Sequence, residues 1–150
     1  MSALQVSTDK DSLDIGLVHR FLSTEAYWSR RIPRETVERA IAGSLCFGGF
    51  VDGRQVAFAR VVTDGATFAY LADVFVLPEQ RGQGHSKALM AEVMAHPQLQ
   101  GLRRFMLATA DAHALYEQFG FAMPARAGRL MEILHADIYT RGAGGTAATA

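Results

Sequence analysis

Apolar residues change their spacing twice between the two ends of the chain. From Ser12 to Leu22 they fall at Leu13, Leu17, Val18, Phe21 and Leu22, the three-and-four rhythm of one helix face. A short strand is predicted just before, over Leu4 to Ser7. Pro33, whose fixed φ suits a first helical position, opens a second helix that carries Glu35, Val37, Ala40 and Ile41 and stops at Gly43. From Ser44 to Leu77 the pattern turns to β-rich runs, divided by Asp52-Gly53 and Asp64-Gly65. Asp-Gly tolerates the positive φ of tight hairpins, so three antiparallel strands are expected.

Beyond Leu77 the elements alternate. A glycine-containing turn leads into a helix that runs to about His96, where Pro97 ends it. A strand near Leu102 to Thr109 follows, then a short helix with Asp111 as N-cap, Leu115 and Phe119 on one face, and Gly120 as the left-handed terminator before Phe121 re-enters the sheet. A last strand is expected near Arg129 to Ile138. The crossover helix makes the two strands it joins parallel, with the usual right-handed connection. The expected fold is a mixed α/β sandwich over residues 1–140, with the small-residue segment 141–150 as a disordered tail.

The chemistry concentrates at the turn between Asp73 and Met90. Gly82 and Gly84 lack Cβ atoms, so the backbone can curl and aim successive N–H groups at an anion that also faces the N-terminal donors of the next helix. Arg81 and Lys87 place positive charge at both ends of this phosphate cradle, although Lys87 also reads as a solvated helix residue. The Gly-Lys-Ser/Thr ending of a P-loop and the Gly-x-Gly-x-x-Gly dinucleotide fingerprint are both missing. The spacing from Arg81 to Ser86 resembles the Gln/Arg-x-x-Gly-x-Gly/Ala signature of the GNAT superfamily of acetyl-CoA-dependent N-acyltransferases, with Ser86 departing from Gly or Ala at the last position. The run Leu115-Tyr116-Glu117-Gln118-Phe119-Gly120-Phe121 is similar to the Leu-Tyr-Glu-Lys-x-Gly-Phe element of the same family. The resemblance extends from about the first strand to Tyr139 and is most specific between Leu71 and Phe121.

That resemblance implies a central mixed sheet, antiparallel in its N-terminal strands and flanked by helices, whose parallel pair splays apart to admit the pantetheine arm of acetyl-CoA. It implies that Phe75 and Val76 lie opposite the pantetheine and that Arg81, Gly82, Gln83, Gly84, His85, Ser86 and Lys87 surround the pyrophosphate. Tyr116 matches the family tyrosine that protonates the departing thiolate, and a backbone N–H near Phe75 or Val76 is the expected oxyanion donor. The implied activity is direct attack of a primary amine, on a small molecule or peptide, upon acetyl-CoA in a ternary complex. A non-catalytic acyl-CoA-binding or sensing module of the same fold is the alternative, and Ser86, which either crowds the pyrophosphate or donates to it, keeps that alternative open.

Several residues have two readings. Strand alternation sets Asp73 beside Leu71 and Phe75, either as a base raised in pKa by partial burial or as an ion-pair or hydrogen-bond partner of a neighbouring strand. His85 pairs with a phosphate or fills the turn; Asp111 and His113 reach the coenzyme region, or His113 only packs at the surface. Tyr27 and Trp28, between the first two helices, form either an aromatic wall for the acceptor or a helix-to-sheet contact.

Composition narrows the field. The 150 residues are 49% hydrophobic, enough for one core, and 15 basic residues balance 15 acidic ones without a Lys/Arg run, so neither nucleic acid nor an anionic membrane is an expected partner. The five histidines show no two-ligand spacing on a common face, so no metal is expected. Cys46 is read as a core residue, and a cytoplasmic location is expected because neither a signal-peptide layout nor a bilayer-length apolar run is present. An exposed strand edge and the aromatic N-terminal segment are compatible with a homodimer, frequent in the family.

Overall fold

The computed structural model describes residues 3–141. Its elements are β1 (Gln5–Ser7), α1 (Ile15–Thr24), α2 (Arg34–Ala42), β2 (Leu45–Val51), β3 (Arg54–Thr63), β4 (Phe68–Val76), α3 (His85–Ala95), β5 (Arg104–Leu107) and α4 (His113–Glu117). Short 3-10 turns lie at Lys10–Ser12, Pro78–Gln80, Pro97–Leu99 and Ala127–Arg129. The five strands form one sheet in sequence order, antiparallel from β1 to β4 and parallel between β4 and β5 across α3. The expected mixed sheet is therefore the observed one.

Local chemistry sets most boundaries. α1 begins later than its apolar spacing suggests, because the Asp14 carboxylate accepts from the Leu17 N–H at 3.0 Å and fixes the start there. Pro33 occupies the cap position of α2 rather than its first helical position, with an extended ψ of 146°. Asp52 and Gly53, at φ 50° and 81°, make the tight β2–β3 hairpin. In the β3–β4 loop the Asp64 carboxylate accepts from the Thr67 hydroxyl and from the N–H groups of Ala66, Thr67 and Phe68, and these bonds hold it well below the usual carboxylate range.

The core runs through the sheet. On β3, Gln55 to Ala59 are all buried, which requires cover on both faces. Phe21 of α1 stacks on Phe75 of β4 at 4.0 Å, with Phe58 of β3 5.8 Å from Phe75. α3 packs on β2, β3 and β4 and buries Leu89, Met90 and Val93. Cys46 is a core residue as expected, and burial pushes its thiol up to about 11.

Two expectations fail at the C-terminal end. Phe121 does not re-enter the sheet; it packs its edge against Phe105 at 5.2 Å and Tyr116 at 6.1 Å. The strand expected near Arg129 to Ile138 does not form either, and Met131, Ile133 and Leu134 are 97%, 88% and 68% exposed. Strand propensity is realised only against a neighbouring edge, and this segment pairs with none of the five strands. Leaving such side chains in water forgoes roughly 1.5–3 kcal/mol each. The tail expected over residues 142–150 lies outside the described residues.

Phe58 has no exposed surface, so Phe58→Ala is expected to lower unfolding free energy by about 3–5 kcal/mol in a urea titration. Val62→Ala, on an exposed position of the same strand, should change it by less than about 1 kcal/mol.

Candidate active site

The site begins where two strands part. The parallel register runs only from Phe68↔Arg104 to Leu71↔Leu107, after which β4 continues with β3 alone. One residue beyond that point β4 carries a bulge: its pairing shifts from Arg60↔Ala72 to Phe58↔Phe75, and Asp73 sits at φ 54°. The extra residue breaks the alternation that was to set Asp73 beside Leu71 and Phe75. Past the bulge Phe75 and Val76 are both buried, so β4 has only its backbone edge to offer a ligand.

Asp73 is the hub of this region. Its Oδ1 accepts from the Trp28 indole N–H at 2.9 Å and its Oδ2 from Arg60 Nε at 2.8 Å. Arg60 Nη1 also donates to Ser44 Oγ at 3.1 Å. The two charged side chains are 12% and 19% exposed, so this is a largely desolvated pair. Of the two readings for Asp73, the ion pair with a neighbouring strand is the contact observed. Arg60 escaped the sequence reading, yet the signal was present: it is a lone cation within the apolar run Phe58 to Val62.

A cavity of about 670 Å³ opens over the parted strands, lined by Trp28, Arg60, Asp73, Val74, Thr109 and Tyr116 among others. Tyr27 and Trp28 meet edge to face at 5.1 Å and stay 58% and 44% exposed on its rim. Tyr116 is buried on α4, and burial, with the Asp111 carboxylate adding to it, raises its hydroxyl pKa above the ordinary tyrosine value. It borders a second cavity of about 590 Å³ beyond β5, which the exposed His113 also lines. Asp111 is not the cap of α4. Ala112 is, and its N–H donates to Thr109 Oγ1 at 3.0 Å. Gly120 ends the segment at φ 95° as expected.

The glycine turn sits at the far end of β4. Gly82 and Gly84 have φ of 77° and 82°, and a Cβ built on either would meet nothing within 4 Å. The loop thus borders open space and needs glycine for its left-handed backbone. The first helical bond of α3 is Ala88 N–H to Gly84 C=O at 3.1 Å, so the N–H groups of His85, Ser86 and Lys87 precede any intrahelical partner. Arg81 Nε donates to the Val76 carbonyl at 3.0 Å and ties the loop to the end of β4. Gln83 and Lys87 are exposed and Ser86 is half-buried. The His85 ring is 4% exposed with an enclosed, unpartnered Nε2, so it fills the turn from within.

Residues 17–121 match the Acetyltransferase (GNAT) family. The chain belongs to the GNAT family. A Gibberella zeae protein named as a candidate acetyltransferase is 32% identical over 133 residues, 74% of each chain. A candidate GNAT-family acetyltransferase from Xanthomonas campestris pv. campestris is similar in structure with a TM-score of 0.91 at 63% identity, over 93% of this chain and 99% of that one. An acetyltransferase-like protein from Clostridium acetobutylicum, solved with acetyl-CoA, shares the fold at 15% identity, with a TM-score of 0.64 over 89% of this chain and 96% of that one. These relatives support acetyl transfer as the general activity. Among the described residues, no cluster of three or more His, Cys, Asp or Glu could hold a metal ion, and no helix is long and apolar enough to cross a membrane.

Trp28 is the only tryptophan and reports on the Asp73 hub. Asp73→Ala is expected to shift its emission maximum and to cost about 2–3 kcal/mol by leaving Arg60 unpaired. Asp73→Asn retains an acceptor for the indole, so it should lose stability with a smaller emission shift; equal shifts in both variants would refute the indole contact.

Proposed function

We propose that this GNAT protein is an N-acetyltransferase that moves an acetyl group from acetyl-CoA to a primary amine within a ternary complex. The observation that carries this reading is the continuity of one track: the β4 edge released after Leu71, ending at the Arg81–Lys87 turn that opens α3. An anion on a helix N-terminus gains roughly 0.3–1 kcal/mol from the dipole, up to about 2 kcal/mol when partly buried, before its hydrogen bonds are counted. The N–H groups at the start of α3, with Arg81 and Lys87, suit a pyrophosphate. The β4 edge at Phe75 and Val76 suits the amides of a pantetheine arm, a form of strand addition. The solved Clostridium acetobutylicum relative supports acetyl-CoA as the co-substrate.

Bound acetyl-CoA supplies a thioester carbonyl open to an amine. In this reading a backbone N–H near Phe75 or Val76 stabilises the developing oxyanion, since β4 has no β5 partner beyond Leu71. Tyr116 gives its proton to the departing sulfur, a role that requires a protonated hydroxyl at neutral pH, and its raised pKa keeps it so. For Asp73 we assign positioning rather than proton abstraction, because both oxygens already accept from Trp28 and Arg60. The amine proton passes to water in the open cleft, and Tyr27 with Trp28 walls the acceptor.

Isothermal titration with acetyl-CoA should give saturable binding that Gly84→Glu abolishes, since a side chain there strains the backbone and fills the open cradle with negative charge. Absence of binding by the unaltered protein would sink the proposal. Tyr116→Phe should retain binding and lower turnover of a screened amine by about 10²–10⁴-fold. Because the acid form is the active one and its pKa lies above the ordinary 10.0, the tyrosine's contribution should persist at lower pH and fall only as pH rises through that higher value. An alkaline loss centred well below pH 10, and absent from Tyr116→Phe, would contradict the direction of the shift.

A further inference from the structure

The cleft over the parted strands is one-sided in charge. Among the described residues its lining holds a single cation, Arg60, and two carboxylates, Asp73 and Asp111. Arg60 and Asp73 pair at 2.8 Å, so together they offer a ligand little net charge. Asp111 has no such partner. It stands exposed in the turn between β5 and α4, without a hydrogen bond or ion pair among the described residues, and its charge is felt at Tyr116. One uncompensated carboxylate therefore borders the proposed proton donor.

The same lining keeps three large rings in contact with water: Tyr27, Trp28 and Tyr70. Trp28 is fixed by its indole N–H, which Asp73 accepts at 2.9 Å, and Tyr27 meets it edge to face. Tyr70 stands two residues before Ala72, the β4 partner of Arg60, so it projects from the sheet face that carries Arg60. Exposed aromatic rings grouped about a cavity of about 670 Å³ fit a ligand that supplies a flat apolar body, and they also attract cations to their faces.

We propose that the acceptor is a small arylalkylamine without a carboxylate, its ring held among Tyr27, Trp28 and Tyr70 and its ammonium drawn to Asp111 beside Tyr116. This names the substrate class of the acetyl transfer proposed above and rests on that reading. An alkylamine with a pKa of about 10 arrives as a cation at neutral pH, the form that Asp111 and the rings attract. An amino acid would set its carboxylate in a lining whose cation is already paired. A ring-free diamine would bring two cations to one uncompensated carboxylate and leave the aromatic rim wet.

Trp28 is the only tryptophan and lies on the rim, so its emission reads binding without turnover. With coenzyme A present, phenethylamine should quench it saturably. Phenylalaninol should bind like phenethylamine, while phenylalanine and cadaverine should each bind at least about tenfold more weakly. Asp111→Asn and Tyr70→Ala, both at exposed positions, should keep the far-UV circular dichroism and the acetyl-CoA affinity. Each should weaken phenethylamine by about tenfold, and Asp111→Asn should narrow the gap to phenylalanine. Phenylalanine or cadaverine bound as tightly as phenethylamine, no quenching by millimolar phenethylamine, or full phenethylamine affinity in Asp111→Asn would each overturn the acceptor class. Acetylation of another amine would then leave the acetyltransferase reading standing, whereas failure to bind acetyl-CoA would remove that reading and this inference together.

Discussion

One carboxylate sets the shape of the cleft. Asp73 stands in the left-handed region, a conformation that costs an L-residue roughly 1–3 kcal/mol, and its two oxygens are held by Arg60 and Trp28. Charge-assisted bonds of about 1.5–3 kcal/mol in a mostly desolvated setting offset that strain. The bulge they stabilise lies just past the last paired residues of β4 and β5. Without an extra residue at this point β4 would retain its register with β3 and its regular pleat, and the backbone edge beyond Leu71 would be presented differently to the cleft.

The remaining parts of the site are arranged along that edge. α3 begins at His85, capped by Gly84 of the turn that follows β4, and Arg81 fastens that turn to Val76. α4 follows β5 after a short turn, so Tyr116 comes to line the space over the parted strands. Trp28 enters from the turn after α1, and its hydrogen bond to Asp73 couples the aromatic rim to the bulge. The proposed binding surface, proton donor and acceptor wall thus meet around one local irregularity in a regular sheet.

The glycine turn and the Tyr116 helix were legible because each rests on local rules: a left-handed glycine before a helix, a left-handed glycine after one. The three hairpin strands were legible for the same reason, through Asp-Gly turns. The bulge was not. Nothing in Leu71 to Val76 says that alternation stops at Asp73, since the cause lies on β3 and in the turn after α1. A stray Arg60 and a stray Asp73 in apolar strands were the only trace of the pairing. The unformed strand from Arg129 to Ile138 shows the converse, a pattern that local rules read as a strand but that pairs with none of the five strands.

Amide hydrogen exchange resolved by residue, with and without saturating acetyl-CoA, tests the central claim most directly. A ligand seated along the freed edge and the α3 N-terminus should slow exchange at Val74 to Val76 and at Gly82 to Lys87, and leave the β1–β2 hydrogen bonds unchanged. Saturable binding with protection confined to other elements, and none at either of these two segments, would contradict the assignment of β4 and its glycine turn as the coenzyme track.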